Sequence, residues 1–248
     1  MKERIIKDII YYESDIQNIS GNSLPHNVGT LYKFSNEVHA IGQRIARKLN
    51  EYNFVSGDYD HLYINYTTVI IDGQIVISER RPEKWLIYID YGISPDNINC
   101  LTEEEKNNFV IESTFKILYL LYNGQDEKTS IIDKVRNEIN TFSSDLEIFF
   151  KTKETASYKI DISYKIGSHG KTSPLIINYL DKKRGTGFKE KVLDMHYFDD
   201  VYPLVDGIAI KSGYIILSPK KSYKAELYNK RYNTPIEIKI VAKQQYQE

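Results

Sequence analysis

The stretch Tyr59-Asp60-His61-Leu62-Tyr63-Ile64-Asn65-Tyr66-Thr67-Thr68-Val69-Ile70-Ile71, followed by Asp72-Gly73 and then Gln74-Ile75-Val76-Ile77-Ser78, carries the reading of the fold. Its residues alternate and are rich in Tyr, Ile, Thr and Val, the types that suit a pleated, half-buried surface. Asp-Gly between two such runs is the favoured chemistry of a type I′ turn, so the stretch predicts a β-hairpin. Trp85–Tyr91 continues the pattern as a third strand, with Gly92 closing it. The expectation is a three-stranded antiparallel β unit.

Working outward, residues 1–13 place Ile5, Ile6, Ile9 and Ile10 on one stripe and predict a short helix. A second helix is predicted from a cap at Ser35 or Asn36 to about Tyr52, with Val38, Ile41, Ile45 and Leu49 at helical spacing. Thr102-Glu103-Glu104-Glu105 has the spacing of a capping box and opens a helix to Tyr122. That helix carries too broad an apolar stripe for a surface position, which predicts burial of its C-terminal half. A further helix is expected from about Ile131 to Phe149.

Beyond Lys151 the chain changes character. Short β-type runs at Lys159–Ile166, Leu175–Leu180, Phe188–Leu193, Gly207–Lys211, Tyr214–Leu217, Tyr223–Tyr228 and Ile236–Val241 are separated by turn residues. Spacing of this kind predicts an antiparallel meander, sandwich or partly closed barrel. The fold class is therefore α+β: N-terminal helices with the three-stranded unit, two central helices, and a C-terminal antiparallel sheet. The division is expected near residue 152, giving 1–151 and 152–248, or one continuous domain if the central helices pack on the C-terminal sheet.

Composition sets the outer bounds. The 248 residues are 41% hydrophobic and 27% charged, which is ordinary for a globular chain and far from a disordered one. No apolar run approaches the roughly 18 residues a membrane helix needs, and the N-terminus has no uninterrupted apolar segment before a cleavage site. These features predict a cytoplasmic protein without a membrane partner. Cys100 is the single cysteine, so an internal disulfide and a cysteine-based zinc site are excluded. Neither a cofactor nor a metal is expected. The formal net charge of −1 is uneven: −5 over residues 1–124 and +4 over 125–248. Tyrosine is abundant, 21 against one tryptophan, and its large apolar ring with a polar tip suits recognition surfaces.

Three constellations could carry function. The first gathers Asp58, Asp60, His61 and Tyr63 at the entrance to the first strand, Arg80 and Arg81 in the connection that follows, and Asp90 near the end of the third strand. Strand alternation puts Asp58 and Asp60 on one face and His61 with Tyr63 on the other. Such a mix suits a protein-recognition patch, and it also suits an acid/base or metal-assisted enzyme. The second is His196-Tyr197-Phe198-Asp199-Asp200, with His and Asp three apart but little else from which to build a metal site. The third is a basic-aromatic patch, Lys220, Lys221, Lys224, Lys230 and Arg231 interleaved with Tyr223, Tyr228 and Tyr232. It would serve single-stranded nucleic acid, or it would blunt an exposed strand edge. The leading expectation is a non-enzymatic intracellular protein-binding protein, compatible with an immunity-like inhibitor. The enzyme and the nucleic-acid-associated protein are the alternatives.

Overall fold

The computed structural model describes residues 3–15, 25–79, 83–168 and 170–241. It is α+β, with the chain divided into two compact units, Met1–Leu146 and Glu147–Glu248.

The first unit contains β1 (Arg4–Ile5), β2 (Asp8–Ser14), β3 (His26–Asn27), α1 (Glu37–Glu51), β4 (Val55–Gly57), β5 (His61–Thr67), β6 (Ile75–Ile77), β7 (Leu86–Gly92), α2 (Pro95–Asn99), α3 (Glu103–Leu121) and α4 (Asp126–Phe142). Its main sheet has the order β3-β2-β5-β7-β6. The three central strands β2, β5 and β7 run parallel, and the short outer strands run antiparallel to their neighbours. A separate ribbon pairs β1 with β4.

Two expectations are corrected here. Within the segment 1–13, whose described part begins at Glu3, Arg4–Ile5 and residues 8–13 are in strands, not a helix. The spacing of Ile5, Ile6, Ile9 and Ile10 is helical, but β-branched side chains favour the strand once a partner is available. That partner is β5, which lies beside β2 over its whole length. The three-stranded unit is also not antiparallel throughout, because β7 lies between β5 and β6. The Asp72-Gly73 turn does form, with Gly73 at φ +79°. It returns the chain to β7, where Gly73 N–H bonds to Gly92 O and Gly92 N–H to Gln74 O. Residues 68–71, read as strand from their composition, instead cross the end of β7 so closely that a Cβ on Gly92 would sit 2.0 Å from Ile71 O.

The helices cover one face of this sheet. Gly42 of α1 presses on β2, where a Cβ would meet Ile9 O at 2.4 Å. From α3, Thr114 and Ser113 hydrogen-bond the hydroxyls of Tyr11 and Tyr66, each at 2.8 Å, and Phe109 packs on the Tyr66 and Tyr91 rings. The capping box is present: Glu105 N–H bonds to Thr102 Oγ1, and Thr102 N–H to the Glu105 carboxylate. Val110, Phe115, Ile117 and Leu118 are buried, but Lys116 and Leu120 are exposed, so the C-terminal half is covered on one side, not on most sides as the broad stripe predicts. The next helix ends earlier than expected, at Phe142. Ser143 takes φ +48°, and Leu146 and Phe149 belong to a strand entry and a strand.

The second unit contains β8 (Glu147–Glu154), β9 (Tyr158–Lys165), β10 (Ser173–Asp181), β11 (Thr186–Met195), α5 (Val201–Leu204), β12 (Gly207–Lys211), β13 (Tyr214–Ser218), α6 (Tyr223–Asn229) and β14 (Ile236–Lys239). Strands β8 to β11 form an antiparallel meander, and β12, β13 and β14 form a second antiparallel sheet. Tyr223–Tyr228, expected as a strand, is the helix α6. Its cap is Ser222, whose side chain accepts from Ala225 N–H and so favours the helical start over an extended chain. No helix among the described residues is long and apolar enough to cross a membrane.

Candidate functional site

The first constellation is partly brought together and partly used to hold the fold. Asp60 is only 2% exposed. Its carboxylate accepts from Lys7 Nζ at 2.8 Å, Arg4 Nη1 at 3.0 Å and His61 Nδ1 at 2.7 Å. Its backbone carbonyl also accepts from the N–H groups of Lys7 and Asp8. Burial alone would raise its pKa, but these hydrogen bonds outweigh burial and hold the carboxyl at about 2. Asp60 thus pins the N-terminal strands to the mouth of β5. Strand alternation does not separate it from His61, because β5 begins only at His61. Asp58 is half-buried in the loop that leads from β4 to β5.

His61, Tyr63 and Asp90 lie on β5 and β7 facing away from the helices. There the structure adds residues that the sequence reading passed over. The Tyr63 ring lies 5.2 Å from Tyr12 and 5.1 Å from Tyr88, and His61 lies 4.6 Å from Trp85. Asn65 Nδ2 donates to Asp90 Oδ1 at 2.7 Å and to Ser14 Oγ at 3.0 Å. Tyr88 and Asn65 are buried and Tyr12, Tyr63 and Asp90 half-buried, so this is an enclosed ring-and-amide layer more than an open patch. Tyr12 falls in the segment 1–13 whose spacing predicts a helix, so the sequence does not bring it to this face. Arg80 and Arg81 lie outside the described residues. Among the described residues no group of three or more His, Cys, Asp or Glu could hold a metal ion.

The second and third constellations, distant in sequence, meet in the second unit. The segment 197–204 and α6 enclose a cleft of about 530 Å³ lined by Tyr197, Phe198, Tyr202, Lys220, Lys224 and Tyr228, among others. A buried carboxylate builds this wall: Asp200 Oδ2 accepts from Tyr232 O–H at 2.5 Å and from Tyr197 N–H at 3.1 Å. Tyr232 O also accepts from His196 N–H. Burial and the bond to Asp200 push the Tyr232 phenol up to about 12, so it stays protonated and donating. On the helix side, Asn229 Nδ2 and Lys220 N–H both bond to Pro203 O, tying α6 to α5.

The side chains around the cleft are unusually open. Of the lining residues, Tyr197 is 62% exposed and Tyr202 and Tyr228 are also exposed, while Tyr223, 78% exposed, and Leu227 lie on α6 outside the lining. The Arg231 guanidinium stands 6.0 Å from the Tyr197 ring centre, Lys220 and Lys224 line the cleft, and both are exposed, as is Lys221. His196 and Asp199 lie on the same segment, both exposed. The surrounding charge is positive: residues 147–248 carry 18 Lys and Arg against 12 Asp and Glu, whereas residues 1–146 carry 15 against 22. No family model, curated protein or solved structure matches this chain.

Proposed function

We propose that this chain is a non-enzymatic binding protein that recognises another protein through the tyrosine-lined cleft of its second unit. The observation that carries this reading is the set of exposed tyrosines, Tyr197, Tyr202 and Tyr228, lining a formed cleft with Lys220 and Lys224, and with Arg231 beside the Tyr197 ring. Exposed apolar patches rimmed by charge mark interaction sites, and Tyr with Arg are the residue types that dominate interface energetics. Burial of a tyrosine ring on binding needs few torsions to be frozen, and its hydroxyl keeps a polar partner at the edge. An inhibitor or immunity-like role, acting inside the cell by covering a toxin, is the form of this function that co-expression with a neighbouring toxin gene examines directly.

The test compares capture from native-cell extract by the wild-type chain and by the Tyr197→Ala, Tyr228→Ala double variant. Both positions are exposed, so the variant should keep the wild-type melting temperature. A partner recovered by the wild type and depleted at least tenfold with the variant is the expected result. Equal recovery by the two, with both folded, would sink the assignment of the cleft.

A further inference from the structure

The two sheets of the second unit each have two edges, and the chain treats them differently. Edges β8 and β12 are joined by lysine side chains: Lys151 Nζ donates to Asp206 O and Lys153 Nζ to Ile208 O. Lysines placed on a strand edge keep other strands away from it. Edges β11 and β14 pair neither with each other nor with any further strand among the described residues. Between them lie two clefts, of about 340 and 110 Å³, which share Phe188 and Val241 and so form one gap. Consecutive residues line it, 190–192 on one side and Ile236–Lys239 on the other, so the gap looks onto strand edges and not onto one pleated face.

The ladders show which backbone groups are open. Lys182 N–H bonds to Ser157 O in continuation of the β9–β10 register, so Ile176, Asn178 and Leu180 bond to β9, while Ile177, Tyr179 and Asp181 bond to β11. Their partners Glu190, Phe188 and Thr186 are thereby engaged, and Gly187, Lys189 and Lys191 turn N–H and C=O away from β10. On β14, Ile240 N–H bonds to Gly213 O, which assigns Ile236 and Ile238 to β13 and turns Glu237 and Lys239 away from it. Two facing rows of donors and acceptors at strand spacing are matched by one chemistry, an extended polypeptide main chain.

Side chains of such a strand would alternate between two surroundings. One set meets Phe188, Ile236 and Ile238, each no more than 9% exposed, and the other meets the exposed Lys191, Glu237 and Lys239. Carboxylates and ammonium groups are mixed along the gap, so it favours neither sign of charge and asks for apolar residues at every second position. The segment after Val241, Ala242-Lys243-Gln244-Gln245-Tyr246-Gln247-Glu248, has neither that alternation nor the turn residues a reversal into the gap would use. A second copy pairing by two-fold symmetry would set one of these edges against itself, whereas here two different edges face each other.

We infer that the gap between β11 and β14 accepts a β-strand of a partner protein, about six residues long with alternating apolar side chains, which joins the two sheets into one. This surface is separate from the tyrosine-lined cleft, so either reading can fail alone. The probe is the blocked heptapeptide acetyl-Thr-Val-Glu-Val-Lys-Val-Thr-amide, added to the isotopically labelled full chain, with hydrogen exchange of backbone amides followed by NMR. In the free chain the amides of Lys189, Lys191, Glu237 and Lys239 should exchange quickly, and peptide should slow all four by about tenfold or more. A strand between two edges uses every one of its N–H groups. Methylating the three Val nitrogens, or instead the Glu, Lys and second Thr nitrogens, should each weaken binding at least fivefold. Slowing of one edge alone, with one of the methylated peptides binding as well as the parent, would overturn the inference in favour of addition to a single edge. No response at millimolar peptide would overturn it outright. Slow exchange of these amides in the free chain would overturn it too, in favour of the chain's own segment if independent of protein concentration and of a second copy if it grows with concentration.

Discussion

Glu13 offers a demanding test of how the first unit is held together. It sits near the C-terminal end of β2, 2% exposed, and its carboxylate accepts four backbone N–H groups from one loop. Oε1 takes Thr30 at 2.8 Å and Leu31 at 2.7 Å, while Oε2 takes Gly29 at 3.1 Å and Tyr32 at 3.3 Å. Glu13→Gln keeps the shape but turns one acceptor into a donor. The better placed oxygen site, facing Thr30 and Leu31, should retain the carbonyl, so the new amide N–H₂ confronts Gly29 and Tyr32. Gly29 is exposed and its N–H can return to water, whereas Tyr32 is fully buried. An orphaned buried N–H costs about 1–3 kcal/mol, and the two remaining bonds lose their charge assistance, roughly 1 kcal/mol more. The expected loss is therefore about 2–4 kcal/mol, with Glu13→Ala losing at least as much. Urea denaturation reads this as a lower midpoint at unchanged slope. A Glu13→Gln protein within about 0.5 kcal/mol of wild type would show that the loop is held by something other than this carboxylate.

Asp60 predicts a pH signature: its carboxyl is depressed from 3.8 to about 2 in the fold, so its contribution is complete above about pH 4 and is lost as pH falls toward 2. Because Lys7 is largely exposed, the size should be about 1–2 kcal/mol. Denaturation at stepped pH should show that component in wild type and not in Asp60→Asn. Gly42→Ala gains up to about 1 kcal/mol of helix propensity but forces α1 off Ile9 O, at about 1–3 kcal/mol or more, so a net loss of melting temperature is expected. An unchanged or raised melting temperature would contradict the close approach of α1 to β2. Gly92→Ala, whose Cβ would meet Ile71 O at 2.0 Å, should lose more than Gly42→Ala in the same assay.

The parts of the fold that could be read from the sequence are those fixed by local chemistry. Thr102 and Glu105 satisfy each other's backbone groups whatever surrounds them, and the apolar spacing from Val38 to Leu49 permits few alternatives to a helix. Strand partners are a different matter. Nothing in residues 59–92 says whether β6 pairs with β5 or with β7, since that depends on how the loop after Thr67 crosses the sheet end. The isoleucines near the N-terminus likewise have helical spacing, and the strand wins only because β5 is there to pair with β2. Tyr223–Tyr228 shows the converse, where an aromatic run that looks extended becomes a helix because one hydroxyl, that of Ser222, caps it.

The candidate site was legible only in pieces for a related reason. His196–Asp200 and Lys220–Tyr232 each drew attention by residue type, but neither looks like a site alone. They join through buried polar bonds, Tyr232 to Asp200 and Asn229 to Pro203, that no local pattern announces. Asp60 runs the other way. The same charge that stood out in sequence as a catalytic or ligand-binding candidate proves to be consumed by Arg4, Lys7 and His61. A carboxylate is informative about function when its partners cannot account for it, and Asp60 is fully accounted for. In the second unit the features without such partners are of another kind: tyrosine rings left in water and exposed lysines among them. These are the features on which the proposed interaction surface beside α6 rests.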